Sequence, residues 1–178
     1  EACHICEIHG WMRPSVYEGL YNALSRNAER ELDSALSYYG MRFYAYNPLA
    51  GGILTDKYYD RNGGIQEGRF TYRPNYQQRY WKDSYFEAVD HIRKACAPYD
   101  MDVAEAAYRW IAYHSMLKKG RGDGIIIGAS RIEHLKKNIA FLDRGKLPDD
   151  VVKAMKNAWE ISRTDAPEYF RLYEASKV

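Results

Sequence analysis

Segments with the composition of β-strands alternate with segments of helical periodicity along this chain. Three apolar runs of strand length, at residues 16–21, 41–46 and 125–127, are rich in β-branched and aromatic side chains. Between them, apolar residues recur every three or four positions, as in residues 28–36. Strands that alternate with helices predict a parallel sheet with right-handed crossovers. We therefore expect an α/β protein.

The periodicity also predicts where the helices lie. They are expected at residues 1–10, between residue 26 and Gly40, at 81–97, at 103–111 after an N-cap at Asp102, at 131–142, and from Pro148 through 159. The helix at 131–142 is expected to bury one apolar face, which consists of Ile132, Leu135, Ile139 and Leu142. The run at 125–127 has the composition of a fully buried strand. Residues 51–73 read as a long loop rich in Gly, Asp and Asn.

The length of the chain limits which α/β architecture it can complete. A closed eight-stranded α/β barrel needs about 250 residues, whereas this chain has 178 residues and only three predicted strands. A three-stranded parallel sheet has two open edges, and open strand edges favour association with other chains. The sequence therefore predicts that something covers this sheet: the rest of a longer chain, another protein, or a second copy in a homo-oligomer.

Composition argues against two classes of partner. The formal net charge is +2, and the dense basic runs, at residues 118–121 and 136–137, are short. A nucleic-acid-binding protein usually concentrates positive charge on one face, so no nucleic-acid partner is expected. No run of about 18 apolar residues exists in the sequence, and no membrane partner is expected either.

The three cysteines do not indicate a metal site. Cys3 and Cys6 form a C-x-x-C motif, but a structural zinc site needs two further well-spaced ligands and no second C-x-x-C is present. With Cys96 the number is odd, so the three cysteines cannot all pair within the chain. We interpret them as reduced thiols in a reducing compartment. The cytoplasm is the expected location, and an organelle with a reducing interior is the alternative.

Three segments together resemble the aldo-keto reductase family, and most closely its aflatoxin-aldehyde reductase branch. They are VYEGLYN at residues 16–22, FYAYNPLAGGILTDKY at 43–58, and IIIGASRIEHLKKNI at 125–139. The resemblance implies that residues 1–178 are the C-terminal portion of a TIM (β/α)8 barrel. This portion would contain about three parallel strands, the sixth to the eighth of the barrel, with helices and a C-terminal tail. By this resemblance the chain would be the cofactor-binding half of the barrel, without the N-terminal half.

The resemblance also implies an NADP(H) site at the carboxyl ends of the strands, where barrels of this type bind their ligands. The Tyr46 ring would stack on the nicotinamide. Basic residues of the long loop, Lys57 and Arg69, would pair with phosphate charge. The turn after Tyr46 would approach the pyrophosphate through small or compact residues: Asn47, Pro48, Leu49 and Gly51.

A second set of site residues follows the last strand. Gly128 and Ser130 open a helix whose N–H groups and dipole suit an anion, and Ser130 would bond a 2′-phosphate, which favours NADPH. The resemblance places three further residues near the adenosine end, namely His134, Lys137 and Asn138. A carbonyl substrate would lie above Tyr46, bounded by Trp81 and by Arg171 in the tail.

Two residues depart from the family pattern in a way that concerns binding. Glu18 stands where the family usually has Gln, and an ionised carboxylate accepts hydrogen bonds but donates none. Lys137 stands where the family has an acidic residue that contacts the adenine amine. Both changes predict altered contacts at the two ends of the cofactor.

The catalytic Asp, Tyr, Lys and His of the family cannot be placed in this sequence, because they belong to the first four strands. No catalytic residue is therefore assigned, and the 178 residues alone are not expected to reduce a substrate. Our first hypothesis is that the chain is part of an NADPH-dependent aldehyde and ketone reductase, which the missing half would complete. The alternatives are a catalytically inactive subunit with a structural or assembly role, and a dinucleotide sensor.

Overall fold

The computed structural model of the protein describes residues 1–58 and 68–170. This part of the chain contains three strands and eight α-helices. The strands are β1 (Val16–Leu20), β2 (Arg42–Tyr46) and β3 (Gly124–Ile125). The helices are α1 (Ala2–His9), α2 (Leu32–Tyr39), α3 (Arg69–Tyr72), α4 (Pro74–Tyr80), α5 (Asp83–Cys96), α6 (Val103–Tyr113), α7 (Ile132–Leu142) and α8 (Asp149–Ser162).

The three strands form one parallel sheet in the order β1-β2-β3. In the register of this sheet Leu20 lies opposite Tyr46, and Tyr44 lies opposite both Glu18 and Gly124. Each strand is connected to the next through helices, as parallel strands require. The predicted α/β class with a parallel sheet is confirmed, and the arrangement is consistent with a portion of a TIM barrel.

The two faces of the sheet differ in burial. Phe43 and Ala45 of β2 are completely buried, in a core that α5, α6 and α8 share. On the opposite face Tyr44 and Tyr46 are only half-buried, and Glu18 is exposed. One face of the sheet is therefore covered by helices. Within the described residues the other face is more open, except at Leu20, which is 3% exposed.

Strand β3 is shorter and more exposed than its sequence predicts. The isoleucine run was expected to form a fully buried strand over 125–127, but the ladder ends at Ile125, apart from the Ile126 N–H that donates to the Ala45 carbonyl at 2.8 Å. Ile126 is 37% exposed. The expectation of full burial was wrong because β3 is an edge strand, and no other described strand pairs with its outer side.

The predicted apolar face of α7 is only partly covered. Ile132 and Ile139 are 57% and 48% exposed, whereas Leu135 and Leu142 of the same face are half-buried. The buried residues of this helix are Asn138 and Phe141, and the helix packs on α6. The burial expected for Ile132 and Ile139 was therefore wrong for the described chain. A covering element would have to come from outside it.

Two substitutions on α7 test this assignment of its faces. We expect Ile139→Lys to change the free energy of unfolding by no more than about 0.5 kcal/mol, since the side chain is already half-exposed. Phe141→Ala should cost about 3 kcal/mol, because its ring is 2% exposed. Urea unfolding of both variants gives the comparison. Equal losses in the two variants would contradict the observed orientation of α7.

The described parts of the segment predicted as a long loop contain helical structure. They include the short helix α3 and two single 3₁₀ turns, Ala50–Gly52 and Asp56–Tyr58. Tyr58 and Phe70, on either side of residues 59–67, meet edge to face with ring centroids 4.9 Å apart. Trp81 contacts both rings and also Phe86 of α5. We call these four side chains the aromatic cluster, and it anchors the segment to α5.

Asp123, just before β3, connects three parts of the fold. Its carboxylate accepts the backbone N–H groups of Phe43 and Lys118, each at 2.8 Å. It also accepts hydrogen bonds from two nitrogens of the Arg121 guanidinium, Nε at 2.8 Å and Nη2 at 2.7 Å. Arg121 in turn reaches Asp33 of α2 at 2.7 Å. This network fixes the start of β3 against β2 and α2.

Two further predictions concern the three cysteines, expected as reduced thiols, and the start of α6, expected after an N-cap at Asp102. All three cysteines are unpaired, and burial raises the pKa of the Cys96 thiol to about 11. Across the described ranges no group of His, Cys, Asp or Glu is arranged to hold a metal ion.

Helix α6 begins directly after Asp102 as predicted, but the Asp102 side chain makes no capping hydrogen bond. None of the helices that the structure describes is long and apolar enough to cross a membrane.

Candidate cofactor site

The parallel sheet brings the residues that follow its strands to one edge. Tyr46 ends β2 opposite Leu20, and its carbonyl accepts the N–H of Tyr21 at 3.3 Å. Strand β3 lies on the other side of β2. The turn after Tyr46 and the residues after β3 therefore leave the sheet at the same edge, where α/β folds bind their ligands. This brings Tyr46 and Ser130, both predicted from the sequence, to the same end of the sheet.

Tyr46 and Glu18 share the open face of the sheet. Glu18 lies opposite Tyr44, and Tyr44 and Tyr46 point to the same side because side chains alternate along a strand. Glu18 is exposed and Tyr46 is half-buried. A planar group placed against this face at the carboxyl end would meet the phenol ring of Tyr46 and the carboxylate of Glu18.

The turn over residues 47–52 has an unusual backbone. Asn47, Ala50 and Gly51 all have positive φ, at 58°, 47° and 72°. Asn tolerates this left-handed region better than most residues, and Gly enters it without steric cost. The turn is closed by the Ala50 N–H donating to Asn47 at 2.9 Å and the Gly52 N–H donating to Leu49 at 2.8 Å. The predicted site residues Pro48 and Leu49 are buried and half-buried within it.

Two tyrosines that the sequence reading did not select contact this turn. The Tyr76 hydroxyl donates to Asn47 Oδ1 at 3.4 Å, and Asn47 Nδ2 donates to the Tyr80 hydroxyl at 3.3 Å. Tyr76 and Tyr80 stand four residues apart on α4, so they share one face of that helix. Their spacing in the sequence could have indicated a shared helix face. It does so only if residues 74–80 are already known to be helical.

The predicted phosphate-binding cations both lie against aromatic rings. Lys57 Nζ is 5.4 Å from the Tyr58 ring centroid, and a β-carbon added at Gly68 would lie 2.7 Å from the same nitrogen. The Arg69 guanidinium is 5.2 Å from the Tyr76 ring centroid. Lys57 therefore lies beside the residue that precedes Arg69. Cation–π contacts of this kind attract a cation to the face of the ring.

The start of α7 is open to an anionic group. Gly128 and Ser130 are exposed between β3 and the helix. The N-cap residue is Arg131, whose side chain makes no capping hydrogen bond. The first N–H groups of α7 thus lack a side-chain cap, and the positive end of the helix dipole faces solvent beside Ser130.

The remaining residues predicted at the adenosine end lie on α7, which follows Ser130. His134 is exposed. Lys137 pairs with Asp102 at 2.6 Å and lies 5.4 Å from the Phe141 ring centroid, which directs it toward α6. Asn138 is buried on the same side of α7. The contact of Asn138 with adenosine and the altered contact at Lys137 stay predictions.

Of the two predicted substrate residues, one is described. Trp81 belongs to the aromatic cluster, with its ring centroid 5.0 Å from that of Phe86, and it is only half-buried. Its described contacts are those of a residue that anchors a loop. Arg171 lies outside the described residues.

The fold and this edge define an α/β protein with a candidate dinucleotide site, and sequence comparison gives the family. The profile of the aldo/keto reductase family matches residues 1–160. The chain belongs to the aldo/keto reductase family. The resemblance first suggested by three segments is thereby confirmed over nearly the whole length.

Curated relatives include aflatoxin aldehyde reductases. An aldo-keto reductase of Pseudocercospora fijiensis is 41% identical over 175 residues, covering 96% of this chain and 59% of the relative. Aflatoxin B1 aldehyde reductase member 2 of Rattus norvegicus is 43% identical, covering 94% of this chain and 48% of the relative. The human protein of that name is 43% identical, with coverage of 96% and 50%. The chain thus spans about half the length of the curated relatives it matches.

Proposed function

We propose that this chain is the cofactor-binding part of an NADPH-dependent reductase of aldehydes and ketones, completed by an N-terminal half. One observation supports the proposal most strongly. In a chain of the aldo/keto reductase family, the parallel sheet carries Tyr46, the turn 47–52 and the start of α7 at the same edge. The names of the relatives, aldehyde reductases among them, support the same reaction class.

The described residues fit a phosphorylated dinucleotide in three ways. The half-buried ring of Tyr46 offers a flat surface on the open face of the sheet, and stacking there would leave one side of a nicotinamide free. Lys57 and Arg69, each placed on an aromatic ring, bring positive charge beside the turn. The uncapped start of α7 with Ser130 suits a further phosphate. NADPH supplies the hydride when it is bound.

The chain's own residues bind and orient, and the proton comes from elsewhere. Glu18, when ionised, accepts a hydrogen bond from a carboxamide NH2 but donates none, so it orients the ring less firmly than the usual Gln. A small carbonyl compound would lie above Tyr46, on the open face of the sheet. The proton donor and its supporting residues would come from the N-terminal half.

We propose that the complete protein acts in the cytoplasm.

A titration with NADPH tests the proposal through Tyr46. We expect saturable quenching of protein fluorescence, and Tyr46→Ala should raise the dissociation constant by roughly two- to twelvefold, since an aromatic stack contributes about 0.5–1.5 kcal/mol. Tyr38→Ala is the matched control, because Tyr38 is 83% exposed on α2. NADH should bind more weakly than NADPH. An unchanged affinity in Tyr46→Ala would contradict the stacking role.

One observation favours a second function, a structural or assembly role without catalysis. The open face of the sheet and the apolar face of α7, with Ile132 and Ile139 more than two-fifths exposed, need a cover. The N-terminal half of a reductase and an unrelated partner protein would both supply one. Absence of NADPH binding in the protein with its partner bound would favour the assembly role.

A further inference from the structure

We infer that Tyr76 and Tyr80 are positioning residues that hold the turn 47–52, and through Tyr76 also Arg69, in the arrangement that receives the cofactor phosphates. This inference rests on the proposed function. Neither tyrosine needs to contact the cofactor, because both act through residues that line the site. Three contacts carry this role: the anchoring of Asn47, the packing against Gly51, and the connection to Arg69.

Asn47 is held at three points. Its carbonyl accepts Asn22 Nδ2 at 3.0 Å, and its side-chain amide bonds the hydroxyls of Tyr76 and Tyr80 at 3.4 and 3.3 Å. Asn22 is fully buried and also accepts the Leu24 N–H at 3.0 Å, so the first point belongs to the rigid end of β1. These anchors maintain a left-handed residue directly after Tyr46, where a free chain would more often adopt negative φ.

The rings of the same two tyrosines pack against the backbone at Gly51. A β-carbon added there would lie 2.8 Å from the Tyr76 ring and 3.0 Å from the Tyr80 ring. Gly51 also has a φ of 72°, so only glycine fits the position on both grounds. The turn is thus fixed by hydrogen bonds at its start and by ring contacts at its end.

Tyr76 extends this contact to a charged group. Arg69 lies 5.2 Å from the centroid of the ring that packs on Gly51. One ring therefore contacts both the turn after β2 and the guanidinium from α3. A site whose parts are already in place loses less entropy when a ligand binds, which is the physical benefit of this arrangement. Tyr80, completely buried behind it, fixes α4 to Asn47.

The decisive variant is Tyr76→Phe, which removes the hydroxyl and leaves the ring on Arg69 and Gly51. We expect the dissociation constant of NADPH to rise about three- to tenfold, the equivalent of one hydrogen bond. The midpoint of thermal unfolding should stay within the error of the wild-type value, since the hydroxyl is only part-buried. Amide hydrogen exchange at Ala50 and Gly52 should become faster even without cofactor. Tyr38→Phe, on the exposed surface, should change none of these.

A second variant keeps the backbone and removes the anchor. Asn47→Gly retains the left-handed conformation without strain but deletes the amide that bonds both tyrosines. It should reproduce the weaker NADPH binding and the faster exchange of Tyr76→Phe, and the double variant should be little worse than either single one. Additive losses would indicate two independent effects and would overturn the inference.

The outcomes separate this inference from the proposed function. If wild type binds NADPH and Tyr76→Phe binds equally well with unchanged exchange in the turn, the inference is wrong and the proposed function stands. If the variant loses affinity only together with a lower unfolding midpoint, Tyr76 has a structural role and the inference is again wrong. If the wild-type protein with its barrel complete does not bind NADPH, the proposed function fails and the inference fails with it.

Discussion

Replacing Asp123 with Ala is expected to lower the free energy of unfolding by about 3–5 kcal/mol, the usual cost of removing one member of a buried, hydrogen-bonded ion pair. The Asp123 side chain is 1% exposed, and its loss would leave the N–H groups of Phe43 and Lys118 without this acceptor. Arg121 would keep Asp33 as its charged partner among the described residues. Urea or thermal unfolding of the variant measures the effect.

Asp90→Ala is the matched control for this prediction. Asp90 also pairs with a cation, Lys94 at 2.7 Å, but its side chain is 50% exposed on α5. Exposed pairs contribute about 0–1 kcal/mol, so the control should be close to wild type. A loss at Asp123 no larger than the loss at Asp90 would show that the network around β3 is not needed for the fold.

The same carboxylate predicts how stability depends on acid. Burial alone would raise the pKa of Asp123, but the hydrogen bonds from Arg121, Phe43 and Lys118 outweigh it and hold the pKa below its ordinary value of 3.8. The stabilisation is therefore fully present above that value and is lost as the pH falls through the lowered pKa of the folded state. Unfolding measured from pH 6 to pH 2 should lose less stability in Asp123→Ala than in wild type.

The second large effect concerns catalysis. We expect the 178 residues alone to show no carbonyl reduction, and NADPH oxidation to appear when an N-terminal half supplies the family's Asp, Tyr, Lys and His. General acid–base groups of this kind contribute about 10²–10⁴-fold to a rate. The measurement is the loss of NADPH absorbance with a small aldehyde as substrate.

The control for catalysis is the same completed protein with Phe in place of the supplied tyrosine. It should bind NADPH normally and lose nearly all turnover. A completed barrel that binds NADPH but reduces no aldehyde or ketone would favour the structural role. Turnover by the 178 residues alone would contradict the assignment of the catalytic groups to the other half.

The sheet was predictable because its residues carry local information. The runs that became β1 and β2 are apolar, aromatic and bounded by turn residues, and the Asn47-Pro48 step marks the end of β2 correctly. Gly40 ends α2 in the left-handed conformation, as its position predicts. These features are determined by residues that lie close together in the sequence. The sequence of a single chain is therefore enough to predict them.

The exposed face of α7 could not be predicted, because periodicity identifies an apolar face but not the element that covers it. Ile132 and Ile139 have the spacing of core residues and nevertheless face away from the described chain. Lys137 likewise has its partner, Asp102, 35 positions away in sequence. Tyr76 and Tyr80 were missed because PNYQQRY has little apolar periodicity, so nothing marked residues 74–80 as a helix beside the turn.

We propose that the carboxyl edge of this sheet receives NADPH. The most direct test is a titration of the isotope-labelled protein with NADPH, followed by nuclear magnetic resonance at individual backbone amides. NADPH bound at this edge should cause saturable shifts in two separate places, the turn 47–52 after Tyr46 and residues 128–131 at the start of α7. Saturable binding with shifts elsewhere, or no shifts in either segment, would contradict it.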